Sequence, residues 1–86
     1  MYEIRYTKQA IKDIDDLKRA GLDQKAKNLI DIIRKNPFET PPPYEKLVGD
    51  LKGAYSRRIN RQHRLIYKID EGHKAIIILR LWTHYE

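Results

Sequence analysis

The sequence contains no cysteine and no long apolar run. The absence of cysteine excludes disulfide bonds, thiolate nucleophiles and zinc sites with thiolate ligands, and it is typical of proteins in a reducing compartment. No stretch approaches the roughly 20 apolar residues that a membrane-spanning helix needs, and the first residues contain no apolar run of signal-peptide length. We therefore expect a cytoplasmic protein that does not enter a membrane.

Glycine-rich segments and clusters of metal ligands are also missing. The four glycines are scattered, so there is no phosphate-binding glycine loop, and the three histidines are isolated from one another. We therefore expect neither a metal ion nor another cofactor. The chain has only 86 residues, of which 41% are hydrophobic. That length supports one hydrophobic core, so a single domain over residues 1–86 is expected.

Acidic residues are scarce in one segment of the chain. Residues 45–68 carry seven lysines and arginines against two acidic residues, whereas residues 1–44 carry nine against seven and residues 69–86 two against three. Most of the net charge of +6 therefore lies in this segment. Such a patch attracts phosphates, because each neutralised phosphate releases condensed counterions. Charge alone leaves open the alternative of a solvated basic surface without a ligand.

Two helices are predicted between residues 7 and 36. Thr7 is expected to cap the first helix and Gly21 to end it. Asp23 is expected to cap the second helix, which ends near Asn36 because Pro37 disfavours helical geometry in the residue before it. The expected apolar stripes are Ala10, Ile11, Ile14 and Leu17 in the first helix and Ala26, Leu29, Ile30 and Ile33 in the second.

Strands are predicted before and after this helical hairpin. Residues 2–6 alternate apolar and charged side chains, which indicates a half-buried strand. A proline-rich loop over residues 37–44 leads to further strands at 45–48, 54–59, 63–69 and 74–83. The run Ala75 to Leu79 lacks alternation, which favours a central position for the last strand. The expected fold class is α+β: an N-terminal strand, a two-helix hairpin and an antiparallel sheet of three or four strands.

Alternation along the strands predicts which side chains share a face. Leu65 and Tyr67 are the better core candidates in their strand, so Arg64 is expected on the opposite face. Arg57 and Arg58 are neighbours and must diverge, which places one of them with Arg64. One face of the sheet is therefore expected to collect arginines. Arg57 has an alternative role as a structural ion-pair partner if it faces the helices.

The last strand is expected to place Arg80, Trp82 and His84 on one side. A cationic groove with aromatic neighbours suits single-stranded nucleic acid, because arginines bind phosphates while aromatic rings stack on bases. The expected RNA- or phosphate-binding residues are Lys46, Lys52, Arg57, Arg58, Arg61 and Arg80.

Cleavage of RNA needs a base, an acid and a cation close together. Glu45 can accept the proton of a 2′-hydroxyl, Arg64 or Arg58 can neutralise the developing charge on the phosphate, and His84 can donate a proton near neutral pH. The alternative interpretation is a solvated glutamate and an exposed C-terminal His-Tyr pair. His63 is expected to be structural, and His73 lies in a polar turn where it has no expected role.

Several segments, in this order along the chain, resemble the YoeB/Txe branch of the RelE toxin superfamily. They are Pro37-Phe38-Glu39, Glu45-Lys46-Leu47, Leu51 to Ile59, His63 to Tyr67 and the terminal His84-Tyr85. The resemblance implies a RelE-like fold and a metal-independent ribonuclease that cuts mRNA in the ribosomal A site by attack of the 2′-hydroxyl. It further implies Glu45 as general base, His84 as general acid and Arg64 as phosphate clamp, with Arg58 and Tyr85 supporting the site.

The resemblance also implies partners. A toxin of this branch is expected to bind the ribosome, mRNA and a cognate antitoxin of the YefM/Phd type. It is expected to bind operator DNA only as part of the antitoxin complex. The toxin is also expected to be able to form a homodimer. Two other functions stay open: a non-catalytic toxin directed at gyrase, and an RNA-binding module that does not cleave. Glu86 departs from the pattern, because relatives commonly end at the tyrosine that matches Tyr85.

Overall fold

A computed structural model describes residues 1–84, except for the side chain of His84. Tyr85 and Glu86, the first of which was predicted as a site residue, lie outside the described residues. The elements in chain order are β1 (Glu3–Tyr6), α1 (Lys8–Arg19), α2 (Asp23–Lys35), β2 (Glu45–Lys46), a 3₁₀ turn (Gly49–Leu51), β3 (Ala54–Arg58), β4 (His63–Asp70) and β5 (Ala75–His84).

The two helices begin and end close to the predicted residues. The Thr7 hydroxyl accepts a hydrogen bond from the Ala10 amide at 3.1 Å, which satisfies one of the free N–H groups at the start of α1. The prediction for α2 was wrong at one position: Leu22 is the N-cap, without a side-chain hydrogen bond, and Asp23 is the first helical residue. There the Asp23 carboxylate still lies in the first turn, where the helix dipole favours a negative charge.

The sheet has five strands in the order β1, β5, β4, β3, β2. β5 lies inside the sheet, between β1 and β4, as its unbroken apolar run indicated. The strands β2 to β5 pair antiparallel, whereas β1 pairs parallel to β5, so the sheet is mixed. The expected antiparallel sheet of three or four strands omitted this pairing, because alternation in β1 predicts a strand but does not predict its neighbour.

Both helices pack on one face of the sheet and form the core with it. The buried core residues are Ala10, Leu17, Ala26, Leu29, Ile33, Ile59, Leu65, Tyr67, Ile76, Ile78 and Leu81. The stripe predicted for α1 was partly wrong, because Ile11 is exposed and Asp13 is buried in its place. Leu65 and Tyr67 face the helices, so Arg64 and Ile66 lie on the opposite face, called here the open face.

β5 contains two more residues than regular pairing with β4 requires. Leu81 and Trp82 together lie opposite Leu65, because Arg64 pairs with Thr83 and Ile66 pairs with Arg80. Leu79 is a second extra residue, between the partners of Ile66 and Tyr67. We call Leu79 to Trp82 the β5 bulge. Simple alternation fails across it, so the predicted common side for Arg80, Trp82 and His84 does not follow from the strand geometry.

Candidate functional site

The open face of the sheet brings together three of the predicted site residues. Glu45 of β2 is paired with Ser56 of β3, and Arg58 of β3 is paired with Arg64 of β4. Directly opposite residues of antiparallel strands point to the same side with Cβ atoms about 5 Å apart, and Ser56 and Arg58 are about 7 Å apart along the strand. The carboxylate and the two guanidinium groups therefore project from one patch, within reach of one phosphate group.

Burial in this patch differs between its floor and its rim. Ser56 and Ile66 are buried, Arg64 is half-buried, and Glu45 and Arg58 are exposed. A half-buried guanidinium is held more firmly than an exposed one, and its planar fork binds two phosphate oxygens at once. Arg64 is thus partly accessible from the open face, and the Glu45 carboxylate is exposed to solvent.

The end of β5 lies beside this patch. Thr83 is the cross-strand partner of Arg64, and the backbone of His84 pairs with that of His63. The side chain of His84, the predicted acid, and the whole of Tyr85, its predicted supporting residue, lie outside the described residues.

Three further basic residues that were predicted to bind phosphates are exposed, although they are not all on the open face: Lys46 is paired with Tyr55 and therefore points to the other side of the sheet. Lys46 lies on the edge strand β2, Lys52 follows the 3₁₀ turn, and Arg61 lies in the turn between β3 and β4. Lys46 and Lys52 border a cavity of about 490 Å³ whose other wall includes Val48 and Tyr55. We call these three exposed basic residues the cationic rim.

Arg57 does not belong to this surface, and its predicted role in phosphate binding is corrected. Its side chain is only 1% exposed. The guanidinium donates hydrogen bonds to the Pro37 carbonyl at 3.0 Å, to the Pro42 carbonyl at 2.6 Å and to the Tyr67 hydroxyl at 3.0 Å. It also lies over the ring of Tyr44, 5.1 Å from its centroid. Alternation explains the burial, because Arg57 shares the helix-facing side of β3 with Ile59.

An aromatic cluster completes this attachment of the proline-rich loop to the sheet. Phe38 and Tyr44 of the loop pack edge-on against Tyr55, with ring centroids 5.6 and 5.7 Å away. Burial raises the pKa of the Tyr67 hydroxyl, which stays neutral and donates to the Pro37 carbonyl at 3.1 Å. β2 begins directly after Tyr44. The contacts between the loop and the buried Arg57 of β3 therefore determine where Glu45 lies.

Arg80 is also removed from the predicted phosphate-binding set. Its Nε donates to the Asp13 carboxylate at 2.9 Å, and its Nη2 donates to the Trp82 carbonyl at 3.0 Å. The carboxylate neutralises the charge of Arg80, and the side chain reaches towards α1. Alternation along β5 had predicted that Arg80 shares a side with Trp82 and His84, because the bulge cannot be recognised in the sequence pattern.

Asp13 is a functional candidate that sequence reasoning missed. It is 1% exposed and accepts hydrogen bonds from Arg80, from Gln9 at 3.0 Å, and from the amides of Leu81 at 2.9 Å and Trp82 at 3.1 Å. Burial by itself raises the pKa of Asp13, but the hydrogen bonds outweigh burial and hold it below the usual value. The available signal was an acidic residue at position 13 on the apolar stripe of Ala10 and Leu17.

The lowered pKa of Asp13 predicts that the folded state loses stability in acid. A group whose pKa is lower in the folded state stabilises that state above its unfolded pKa, about 3.9 for aspartate, and this contribution is lost as the pH falls through the folded pKa. We expect the unfolding free energy of the wild type to fall more steeply below about pH 4 than that of Asp13→Asn. Urea unfolding at a series of pH values, followed by Trp82 fluorescence, measures this. Equal slopes in the two proteins would contradict it, and Asp15→Asn controls for net charge.

The other two histidines occupy the predicted kinds of environment. His63 is buried, and its ring stacks on Trp82 with centroids 3.7 Å apart and an angle of 14° between the planes. His73 is exposed in the turn before β5, where its Nδ1 lies 2.8 Å from the Asp70 carboxylate. Hydrogen bonds from His73 lower the pKa of Asp70. Both histidines are thus engaged in contacts within the fold.

A separate cavity of about 570 Å³ opens on the helix side of the sheet. Apolar side chains of β1, α1 and α2 contribute to its lining, among them Ile4, Ile14 and Ile30.

Within residues 1–84 no group of three or more His, Cys, Asp or Glu side chains is arranged to hold a metal ion. None of the helices in the described part of the chain is both long enough and apolar enough to cross a membrane.

Comparison with known proteins places these features in a family. The sequence model of a family described as "YoeB-like toxin of bacterial type II toxin-antitoxin system" matches residues 6–85. A toxin YoeB from Synechocystis sp. is 41% identical to this chain over 58 residues, which are 67% of this chain and 65% of that relative. The match thus spans slightly less than two thirds of the relative's length.

Solved structures share the fold over nearly the whole chain. A YoeB/ParE toxin from Agrobacterium tumefaciens has a TM-score of 0.86 and 27% identity, with 96% of this chain and 99% of that chain covered. The toxin in a YoeB-YefM complex from Staphylococcus aureus has a TM-score of 0.82 and 33% identity, with 99% of both chains covered. A YoeB dimer from Staphylococcus aureus has a TM-score of 0.82 and 33% identity, with 98% of both chains covered.

Proposed function

Because the chain belongs to the family of YoeB-like toxins of bacterial type II toxin-antitoxin systems, we propose that it is a cytoplasmic toxin that inhibits translation. It acts as a ribosome-dependent endoribonuclease that cuts mRNA in the ribosomal A site. The observation that carries this proposal is the open face of the sheet, where Glu45, Arg58 and Arg64 project from one patch beside the end of β5. A base and two phosphate-binding cations in one patch suit phosphodiester cleavage.

In the proposed reaction Glu45 is the general base. It takes the proton of the substrate 2′-hydroxyl, and the 2′-oxygen then attacks the adjacent phosphorus. Arg64 clamps the phosphate oxygens and Arg58 supports it, so that the negative charge of the transition state is neutralised as it develops. A P–O bond to the 2′-oxygen forms while the bond to the 5′-oxygen breaks, and His84 protonates the leaving oxygen. The products are a 2′,3′-cyclic phosphate and a 5′-hydroxyl, with Tyr85 supporting the site and with no metal ion required.

The cationic rim supplies the proposed contacts with RNA outside the cleaved bond. Lys46, Lys52 and Arg61 are exposed and carry no role in the core. Charge contacts of this kind bind RNA of any sequence and weaken as salt rises. They suit a toxin that meets its mRNA on the ribosome, where base pairing and the A site present the substrate.

A cognate antitoxin of the YefM/Phd type is the proposed protein partner. A YoeB-YefM complex and a YoeB dimer from Staphylococcus aureus have been solved. An acidic, initially disordered antitoxin segment complements the excess of lysine and arginine in residues 45–68. Operator DNA is then bound only through the antitoxin complex, and a homodimer is the proposed state of the free toxin.

The deciding experiment adds the purified protein to ribosomes programmed with one mRNA of known A-site codon. We expect cleavage within that codon, a new 5′ end that a polynucleotide kinase labels without prior phosphatase treatment, and no cleavage once the YefM-type antitoxin is added. Intact mRNA together with DNA damage in expressing cells would instead identify a gyrase-directed toxin. RNA that is bound but retains its original ends would identify a binding module without catalysis.

A further inference from the structure

A buried arginine fastens the proline-rich loop to β3. The three guanidinium nitrogens of Arg57 each donate one hydrogen bond, and the acceptors are the Pro37 carbonyl, the Pro42 carbonyl and the Tyr67 hydroxyl. These acceptors are uncharged, so the cost of removing the guanidinium from water is offset by hydrogen bonds and not by an opposite charge. A buried polar network whose members are all satisfied rigidifies the segment that it holds. The loop is therefore fixed in one arrangement on β3.

Glu45 lies between two attachments to β3. Before it, the Arg57 guanidinium lies over the ring of Tyr44, 5.1 Å from the centroid. After it, the Leu47 amide donates to the Ala54 carbonyl at 3.0 Å. The strand between these attachments, β2, is only two residues long and makes few ladder hydrogen bonds of its own. The attachment of the loop therefore contributes a large part of what fixes the backbone of Glu45.

β3 serves the site from both of its sides. Ser56 is the cross-strand partner of Glu45 and faces the open face with it. Arg57 is the next residue of β3, so its side chain projects to the helix side. The guanidinium thus acts on the open face through the backbone of the loop and of β2.

From these contacts we infer that Arg57 is a positioning residue for the cleavage reaction: by anchoring the proline-rich loop it sets where Glu45 meets the substrate 2′-hydroxyl. This inference rests on the proposed function. A misplacement of about 1 Å at the reacting groups costs on the order of 10²-fold in rate. Arg58 and Arg64, the proposed phosphate ligands, lie on β3 and β4, outside the loop. Loss of the anchor should therefore lower kcat and change KM little.

The test measures cleavage of ribosome-bound mRNA by Arg57→Lys and by Tyr44→Leu. The lysine keeps the charge without the fork of donors, and the leucine keeps an apolar side chain without the ring beneath the guanidinium. Tyr44→Leu gives the answer if Arg57→Lys does not fold. Each substitution is made in the wild type and in Glu45→Ala. We expect kcat to fall by about 10- to 10²-fold in the wild type, but by less than about twofold in Glu45→Ala, where no base is left to misplace.

The matched control is Leu17→Val, which shortens a buried side chain of α1, outside the loop and the open face. All proteins are assayed at a temperature at which circular dichroism shows them to be folded. Leu17→Val should cut at nearly the wild-type rate. A loss of kcat in Leu17→Val as large as in Tyr44→Leu would overturn the inference, because the effect would then follow from a weakened core.

The other outcomes separate this inference from the proposed function. If the wild type cuts and the folded variants at positions 44 and 57 cut equally fast, Arg57 does not position the base. An equal loss in the wild type and in Glu45→Ala also overturns the inference, since the damage then does not act through Glu45. If the wild type itself does not cut, the proposed function is wrong and the inference fails with it.

Discussion

Replacing Glu45 or His84 by alanine is expected to slow mRNA cleavage on the ribosome by about 10²- to 10⁴-fold in each case, because that is the usual contribution of one acid-base group. Glu45 is exposed on an edge strand, so its loss removes the base without opening the core. Binding of RNA should change little in Glu45→Ala, since this variant removes no cation. Single-turnover cleavage of programmed ribosomes gives the rate, and filter binding gives the affinity.

Matched controls are available in the same chain. Glu39→Ala removes an exposed glutamate from the loop before β2, and His73→Ala removes an exposed histidine from the turn before β5. Both control proteins should cut at nearly the wild-type rate. If Glu45→Ala and His84→Ala also cut at that rate, the assignment of base and acid is wrong even when the chain is a ribonuclease.

Replacing Arg57 by leucine is expected to destabilise the fold by about 3 kcal/mol or more, because each buried polar group that loses its partner costs about 1–3 kcal/mol. The substitution leaves the carbonyl of Pro42 without its guanidinium donor and weakens the hydrogen bonding of Pro37 and Tyr67. Small domains are marginally stable, so this is a large part of the total. Urea unfolding followed by fluorescence measures the loss.

The control for this prediction is Arg61→Leu, which removes an exposed arginine from the turn between β3 and β4. Surface substitutions of this kind usually change stability by less than about 0.5 kcal/mol. Arg57→Lys should behave like the leucine variant, because an ammonium group cannot reproduce the three-way fork of the guanidinium. Full stability of Arg57→Lys would show that charge over the Tyr44 ring, and not the hydrogen bonds, holds the loop.

The helices and most strands could be predicted because each follows from a local pattern. Thr7 has a hydroxyl three residues before the first residue of an apolar stripe, and the run from Ala75 to Leu79 has no polar face to expose. The parallel pairing of β1 with β5 could not be predicted in this way. Glu3 is paired with Ala75, the first residue of β5. Nothing in the residues of β1 or in the start of β5 indicates that two segments so far apart in the sequence are neighbours.

The candidate site was predictable where a strand is regular and not where it is bulged. Alternation in β4 correctly placed Arg64 away from the core. Alternation in β3 predicted that Arg57 and Arg58 diverge but not which of them is buried, and it left Arg57 with a structural alternative. That alternative is the observed one, although its partners are carbonyl groups and not a carboxylate. Arg80 was misplaced because the extra residues of β5 are stabilised by Asp13, which is distant in sequence.

The position of β5 between β1 and β4 has a consequence for synthesis. β1 and both helices are translated before β5, the strand against which they pack, and β5 is translated after the other described strands. Pairing over such a long separation is slow to form, and until it forms the apolar faces of α1 and α2 lack their cover. The proposed reaction uses residues of β2 to β5, so the proposed activity is expected only after β5 has been translated and has joined the sheet.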